Sequence, residues 1–337
     1  MNDPVLVEVT RGGIVESAHR GALAVVDADG VVVLSAGDIA RPVFPRSAVK
    51  AIQALPLIET GAADRFGLSP AEIALACASH SGEAAHAETA AAMLAKAGET
   101  LRCLECGAHW PLGEAATRAL AGAGGTPSAL HNNCSGKHAG FVCVSVAMGA
   151  DPKGYIHAGH AVQDVVADAL ETVTGAPLAD APRGIDGCSI PTYALPLKAL
   201  ALGFARFGTG QGFGPERAAA AARIRAAVAA HPFHVAGTGR FDTRAMEALG
   251  ARAFIKTGAE GVYCAALPEV GLGVALKIDD GATRAAETVM ADLIRRLLPL
   301  SETESSALAA ARAATLINWN GYTVGEVRAT RTSISAA

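Results

Sequence analysis

Residues 5–9, a β-branched run that alternates apolar and polar from Val7 through Glu8 to Val9, read as a strand until Gly12-Gly13 interrupts the pattern. Two apolar, β-branched runs at 21–26 and 31–34 flank Asp27-Ala28-Asp29-Gly30, which predicts a hairpin. From Ser47 to about Ala230 the pattern takes the longer period of helices. Ser69-Pro70-Ala71-Glu72 combines a capping box with proline at the first helical position. An alanine-rich helix over 84–97 is closed by Gly98, and further helices are predicted over about 137–148, 160–173 and 215–230. The glycine-rich stretch 207–214 reads as a flexible loop and lacks a nucleotide-binding fingerprint. Strands return at 253–257, 262–267 and 273–278 as a meander, followed by a long helix over about 282–298. Asn318 to Gly325 reads as a final turn and strand, with disorder expected beyond Arg328. The order hairpin, helices, meander, helix predicts an α/β (α+β) fold. One antiparallel sheet is built from both ends of the chain, residues 1–46 and 250–337. The helical region 47–249 is inserted between them and carries most of the site, in one integrated catalytic unit.

Composition narrows the class. With 51% hydrophobic and 18% charged residues over 337 positions, the chain can bury a sizeable core and is not disordered. A net charge of −4 gives no footing for nucleic acid or an anionic membrane as partner. Met1-Asn2-Asp3-Pro4 lacks the basic start and apolar run of a signal peptide, and no apolar stretch suits a bilayer span, so the expected location is cytoplasmic. Seven scattered cysteines, an odd number, argue against a disulfide framework. Cys143 and Cys264 sit in apolar runs and read as core residues. Cys103-Leu104-Glu105-Cys106 has redox-motif spacing without thioredoxin-like surroundings.

The chemistry concentrates in a few small-residue motifs. Ser47 and Lys50 are three apart at a helix start after Pro45, so a hydroxyl and an amine share one face. Lysine, unlike arginine, serves as a base once burial or nearby positive charge lowers its pKa. The chain has seven lysines against twenty-one arginines, and Lys50, Lys137 and Lys256 all fall inside such motifs. Lys256-Thr257-Gly258 ends a predicted strand; an early S-x-x-K and a late K-T-G occur in this order in serine acyl-enzymes related to penicillin-binding proteins. Ser79-His80-Ser81-Gly82-Glu83 lies between two helices, where it supplies a second hydroxyl or is simply a connection. In His131-Asn132-Asn133-Cys134-Ser135-Gly136-Lys137-His138, Cys134 and Lys137 share the first turn of a helix, whose dipole and ammonium favour a thiolate. With Cys188 in Asp186-Gly187-Cys188, two thiolates and a nitrogen suit zinc with one open position; the other reading is two reduced cysteines without metal.

Taken together, Arg46-Ser47-x-x-Lys50-x-x-Gln53, Ser79-His80-Ser81-Gly82-Glu83, Cys106-Gly107-x-His109-x-Pro111, the Asn132-to-His138 block, Asp186-Gly187-Cys188 and Lys256-to-Gly261 resemble the Rhizobium-type L-asparaginases, a family similar to serine β-lactamases. The resemblance runs in order from about Val5 to Leu298. It implies a serine β-lactamase-like fold and hydrolysis of L-asparagine to L-aspartate and ammonia. Ser47 is then the nucleophile, Lys50 its base, and Ser79 with Lys256 a second Ser-Lys tandem. Cys134, Lys137 and Cys188 match the family's zinc positions, and Arg46, His80, Asn133, His138 and Asp186 line its substrate pocket. The resemblance also implies a homodimer. Two other readings stay open: a serine acyl-enzyme acting on glutamine or a β-lactam, and a non-catalytic zinc- or amino-acid-binding protein.

Overall fold

The computed structural model describes residues 3–330 and 335–336. Strands β1 (Val5–Arg11), β2 (Ile14–Asp27) and β3 (Val32–Ala36) come from the start of the chain. Strands β4 (Phe254–Thr257), β5 (Val262–Leu267), β6 (Leu272–Ile278), β7 (Ala313–Ile317) and β8 (Thr323–Ala329) come from its end. They form one antiparallel sheet in the order β7-β8-β1-β2-β6-β5-β4, with β3 also paired to β2. The expected sheet from both ends of the chain is therefore present. β2 is its hinge: residues 14–20 pair with β1, while residues 21–27 pair with β6 and residues 23–26 also with β3. The two halves differ in burial, the first mostly exposed and the second almost wholly buried. That is why the apolar run 21–26 was legible as strand and the polar stretch before it was not.

Helices α1 (Lys50–Gln53), α2 (Pro70–Ala76), α3 (Ala84–Lys96), α4 (Ser135–Ala147) and α5 (Ala161–Thr174) lie in the middle region with α6 (Leu197–Thr209), α7 (Pro215–Ala230) and α8 (Phe241–Leu249). Each of the helices named from the sequence is present, and the capping box of Ser69 and Glu72 is formed on both sides. The expected loop 207–214 needs correction. Residues 207–209 are the last turn of α6, and the loop begins at Gly210, which is left-handed at φ +78°. α6 packs across β2, β5 and β6, while α9 (Thr283–Leu297) packs on β1, β5, β6 and β8. β5 is buried along its whole length between such layers. The contact of α6 with β6 is so close that a Cβ on Gly273 would lie 2.0 Å from the Ala201 carbonyl oxygen.

The tail is more ordered than its sequence suggests. The expected turn and strand are present at 318–322 and in β8, and ahead of them α10 (Glu302–Arg312) leads into β7, neither of which was named from the sequence. Disorder beyond Arg328 is overturned at Ala329, which pairs with Val7, and at Thr330, whose N–H donates to the Leu6 carbonyl at 2.9 Å. Ser335 and Ala336 pair with β3; residues 331–334 and 337, like Met1 and Asn2, lie outside the described residues. No helix among the described residues is long and apolar enough to cross a membrane. All seven cysteines are free, and Cys143 and Cys264 are core residues as expected. Cys103 donates to the Glu99 carboxylate at 2.7 Å and Cys106 to the Ala129 carbonyl at 3.6 Å.

Candidate active site

After Pro45 the chain enters a 3-10 turn, Arg46–Val49, that runs directly into α1. Arg46 opens it at φ +51°, a left-handed conformation that costs a non-glycine residue about 1–3 kcal/mol. Side chains three apart are expected to eclipse in such a turn, yet no hydrogen bond joins Ser47 to Lys50 among the described residues. Ser47 is half-buried, and its hydroxyl makes no hydrogen bond among the described residues. Lys50 is fully buried. Its Nζ donates to the Ala78 carbonyl at 2.5 Å, Ser79 Oγ at 3.0 Å and Cys134 Sγ at 3.1 Å. All three ammonium donors are thus used, and they point to Ala78, Ser79 and Cys134 rather than to Ser47.

The Ser79–Glu83 loop links α2 to α3 and is laced to its surroundings. Ser79 N–H donates to the Val235 carbonyl, His80 N–H to that of Asn133, and Ser81 Oγ to that of Ala236. From the opposite side the end of β4 delivers Lys256, whose Nζ lies 2.9 Å from Ser79 Oγ. Two buried lysines therefore share one buried hydroxyl. Burial first, and then the Lys50 charge, push the Lys256 amine down to about 7. Asp242 opposes this shift and Arg240 adds to it. Just beyond Lys256, Gly258 presses against the Ser47 turn: a Cβ there would lie 2.7 Å from the Pro45 carbonyl oxygen and 3.3 Å from Ala48 N. The K-T-G strand end and the S-x-x-K turn are thus in direct contact, with no room for a larger residue.

Cys134 precedes α4 as its N-cap, its N–H donating to Asn132 Oδ1 at 2.8 Å. Cys188 reaches it from the turn of a small hairpin, Arg183–Ile185 with Pro191–Tyr193. A hydrogen bond from the Cys188 thiol, assisted by the Lys50 and Lys137 charges, holds Cys134 well below the usual thiol range despite burial. Cys188 correspondingly stays protonated, so the pair carries one thiolate. Lys137 Nζ is 3.0 Å from Cys188 Sγ. Burial works against the Lys137 ammonium, but the two sulfurs outweigh it and raise its pKa. Among the described residues no three His, Cys, Asp or Glu side chains are grouped as a metal site. The convergent donors are two sulfurs and one amine, a set that fits zinc's preference for thiolates, provided the ion displaces the protons of Cys188 and Lys137.

The pocket residues divide. Arg46 and Asp186, 140 positions apart in sequence, form one ion pair, Nε to Oδ1 at 2.7 Å. Burial disfavours the Asp186 carboxylate, but Lys137 and Arg46 hold its pKa below the ordinary value. Asn133 is half-buried, and its backbone N–H donates to His109 Nε2 at 3.1 Å. His80 has both ring nitrogens engaged: Nδ1 accepts from the Gly82 N–H at 3.1 Å, so Nε2 donates to Ser135 Oγ at 2.9 Å. Its neutral ring is stacked on His86, 4.8 Å between centroids, and it braces the start of α4. His138 Nδ1 is 2.6 Å from the Tyr155 hydroxyl, which accepts from the Glu105 N–H, leaving Nε2 buried without a partner among the described residues.

Several site residues were not found from sequence. Asn132 holds the Cys106 and Gly107 carbonyls with Nδ2 and Cys134 N–H with Oδ1. Asp242, fully buried on α8, accepts from the Thr257 N–H at 2.9 Å and from the Tyr263 hydroxyl, and so anchors the K-T-G strand end. The only sequence signal for it is an acid in the first turn of a helix, which has ordinary explanations.

Among solved structures, the chain is similar to a putative beta-lactamase from Bacteroides dorei DSM 17855, at 15% identity and TM-score 0.42 over 82% of this chain and 92% of that one. It is also similar to a beta-lactamase from Mycobacterium bovis, at 14% identity and TM-score 0.38 over 82% and 95% of the two chains. A third is a simvastatin synthase mutant from Aspergillus terreus, at 12% identity and TM-score 0.41 over 87% and 93%. No curated protein matches the chain. The family model for L-asparaginase II matches residues 7–329, which contain every residue placed in the site, and the chain belongs to that family of amidohydrolases.

Proposed function

We propose that the chain hydrolyses L-asparagine to L-aspartate and ammonia through a serine acyl-enzyme. The observation that carries this reading is Ser79 Oγ lying 3.0 Å from Lys50 Nζ and 2.9 Å from Lys256 Nζ, beneath the accessible turn that bears Ser47. Ser47 Oγ attacks the side-chain amide carbon, forming a C–O bond, and its proton is taken by Lys50 as Lys50 passes one of its own through Ser79 to the Lys256 amine. The Ser79 hydroxyl links Lys50 to Lys256, which is neutral above about pH 7, so a proton is shared across the three groups. The C–N bond breaks as that proton is returned to the leaving nitrogen, and ammonia departs. Water then attacks the ester by the same route in reverse, releasing aspartate and restoring Ser47. In this reading the Ser47 N–H serves the developing oxyanion, since that of Ala48 is taken by the Pro45 carbonyl.

The Arg46–Asp186 pair is matched to an α-amino acid head group, the guanidinium taking the carboxylate and the carboxylate taking the ammonium. Cys134, Lys137 and Cys188 would hold zinc, which would supply Lewis acidity to organise the substrate rather than the nucleophile. A homodimer in the cytoplasm belongs to the same reading.

One observation favours a variant in which Ser79 is the nucleophile with Lys256 as base: it is Ser79, not Ser47, that is hydrogen-bonded to both amines. Its burial beneath those amines argues for the relay instead, because a nucleophile must be reached by substrate. The test is ammonia release from L-asparagine and, separately, L-glutamine by wild type, Ser47→Ala and Ser79→Ala. Release from asparagine that vanishes in Ser47→Ala, with no covalent adduct trapped on it, supports the reading. An adduct trapped on Ser79 of the Ser47→Ala protein selects the variant. Preference for glutamine overturns the substrate, and binding without ammonia release from either amide favours a non-catalytic protein.

A further inference from the structure

At the edge of the sheet opposite β4, a cavity of about 510 Å³ opens between the end of α9, the end of α10 and strand β8. Its charged lining is Asp292, Arg295, Arg296, Arg312, Glu326 and Arg328. Asp292 is buried and meets three guanidiniums, Arg296 Nε at 2.6 Å, Arg295 Nη2 at 3.5 Å and Arg312 Nε at 3.5 Å. Arg328 shares Glu326, at 2.9 Å, and Glu8, at 3.2 Å. Among the described residues, four positive charges thus meet three negative ones, and a positive charge is left over. The imbalance in donors is larger. Four guanidiniums offer about twenty N–H groups, of which these carboxylates occupy only a few. None of these residues belongs to the Ser-Lys site, and nothing in amide hydrolysis calls for them.

We propose that this cavity binds a small polyvalent oxyanion. The planar forks of Arg295, Arg312 and Arg328 donate to carboxylate and phosphate oxygens with the same two-point geometry. The volume is in the range of small-molecule sites and exceeds what a single chloride would fill. Asp292 acts as the buried post that keeps the arginines gathered when the anion is away.

The experiment is calorimetric titration of the full chain with pyrophosphate and with citrate, at constant ionic strength. The comparison is with Arg312→Ala/Arg328→Ala, both half-exposed positions, whose circular dichroism and unliganded melting confirm folding. One saturable site per chain, weakened at least tenfold in the double variant, supports the proposal. Saturation by pyrophosphate alone assigns a phosphate-bearing ligand, and by citrate alone a polycarboxylate. Should the alanine variant fail to fold, Arg312→Lys/Arg328→Lys keeps the charge but removes the forks, and severalfold weaker binding is expected. Neither anion saturating, or a folded variant binding as tightly as wild type, overturns it.

Discussion

Replacing Lys256 with methionine tests the electrostatic core of the site. The wild-type amine is enclosed by Lys50 and Arg240, which disfavour its charge, and by Asp242 and Cys134, which favour it. Burial is the largest influence, and the net result is a pKa near 7 against an ordinary value of 10.5. Below pH 7 both folded and unfolded chains carry the proton, and the folded chain bears the full cost of a buried ammonium. Between pH 7 and 10.5 the unfolded chain holds more protons, so wild-type stability rises with pH through this window. A group shifted from 10.5 to about 7 contributes about 2–3 kcal/mol more stability at pH 9 than at pH 6. Lys256→Met has no such group. Urea denaturation of both proteins at pH 6 and 9 should therefore show the variant gaining on wild type at pH 6 and losing that margin at pH 9. The activity of wild type should rise along a limb with an apparent pKa near 7, the range in which the Ser79–Lys256 pair becomes a base. A stability difference independent of pH from 6 to 9 would refute the reading, because it would mean that the folded and unfolded amines titrate alike.

Arg46→Ala removes the proposed carboxylate reader and should raise KM for asparagine ten- to hundredfold, about 1.5–3 kcal/mol, with kcat less affected; equal losses in kcat alone would contradict a role in head-group binding. Thorough chelation should leave kcat intact and raise KM, whereas complete, zinc-reversible loss of turnover would move the chemistry to the metal. Gly273→Ala forces a methyl against the α6 backbone 2.0 Å away and should destabilise by about 1–3 kcal/mol or prevent folding, read as the urea midpoint; a neutral outcome would show that α6 is free to shift. Asp242→Asn should lower the pH of the activity limb, since the carboxylate that favours the Lys256 charge is gone, and an unchanged limb would disconnect the two.

Local signals read well where the physics is local. The Ser69–Glu72 capping box and the hairpin around Asp27 to Gly30 depend on neighbours within a few residues, and both are present. α6, which contains Gly203 and Gly208, was not named from the sequence. In the structure they let its backbone approach Thr174 and Ala266, a gain that exists only once those elements are packed. The tail helix α10 and strand β7 carry alanine-rich sequence with no strong period, and they form because α9 and β8 are there to receive them.

By itself the sequence determined which residues share a short stretch: Ser47 with Lys50, Cys134 with Lys137, and Lys256 at the end of a strand. Spacing along a helix or strand is set by backbone geometry, so such neighbours are legible before folding. Only the tertiary structure decided that Lys50 turns its three donors to Ala78, Ser79 and Cys134, leaving the Ser47 hydroxyl unbonded among the described residues. It likewise joined Arg46 to Asp186 and set Asp242 behind Lys256. These are contacts between segments brought together by packing, and burial gives them their strength: the same lysine pair in water would scarcely feel each other, while inside the core burial first, and then the Lys50 charge, draw the Lys256 amine down to about 7.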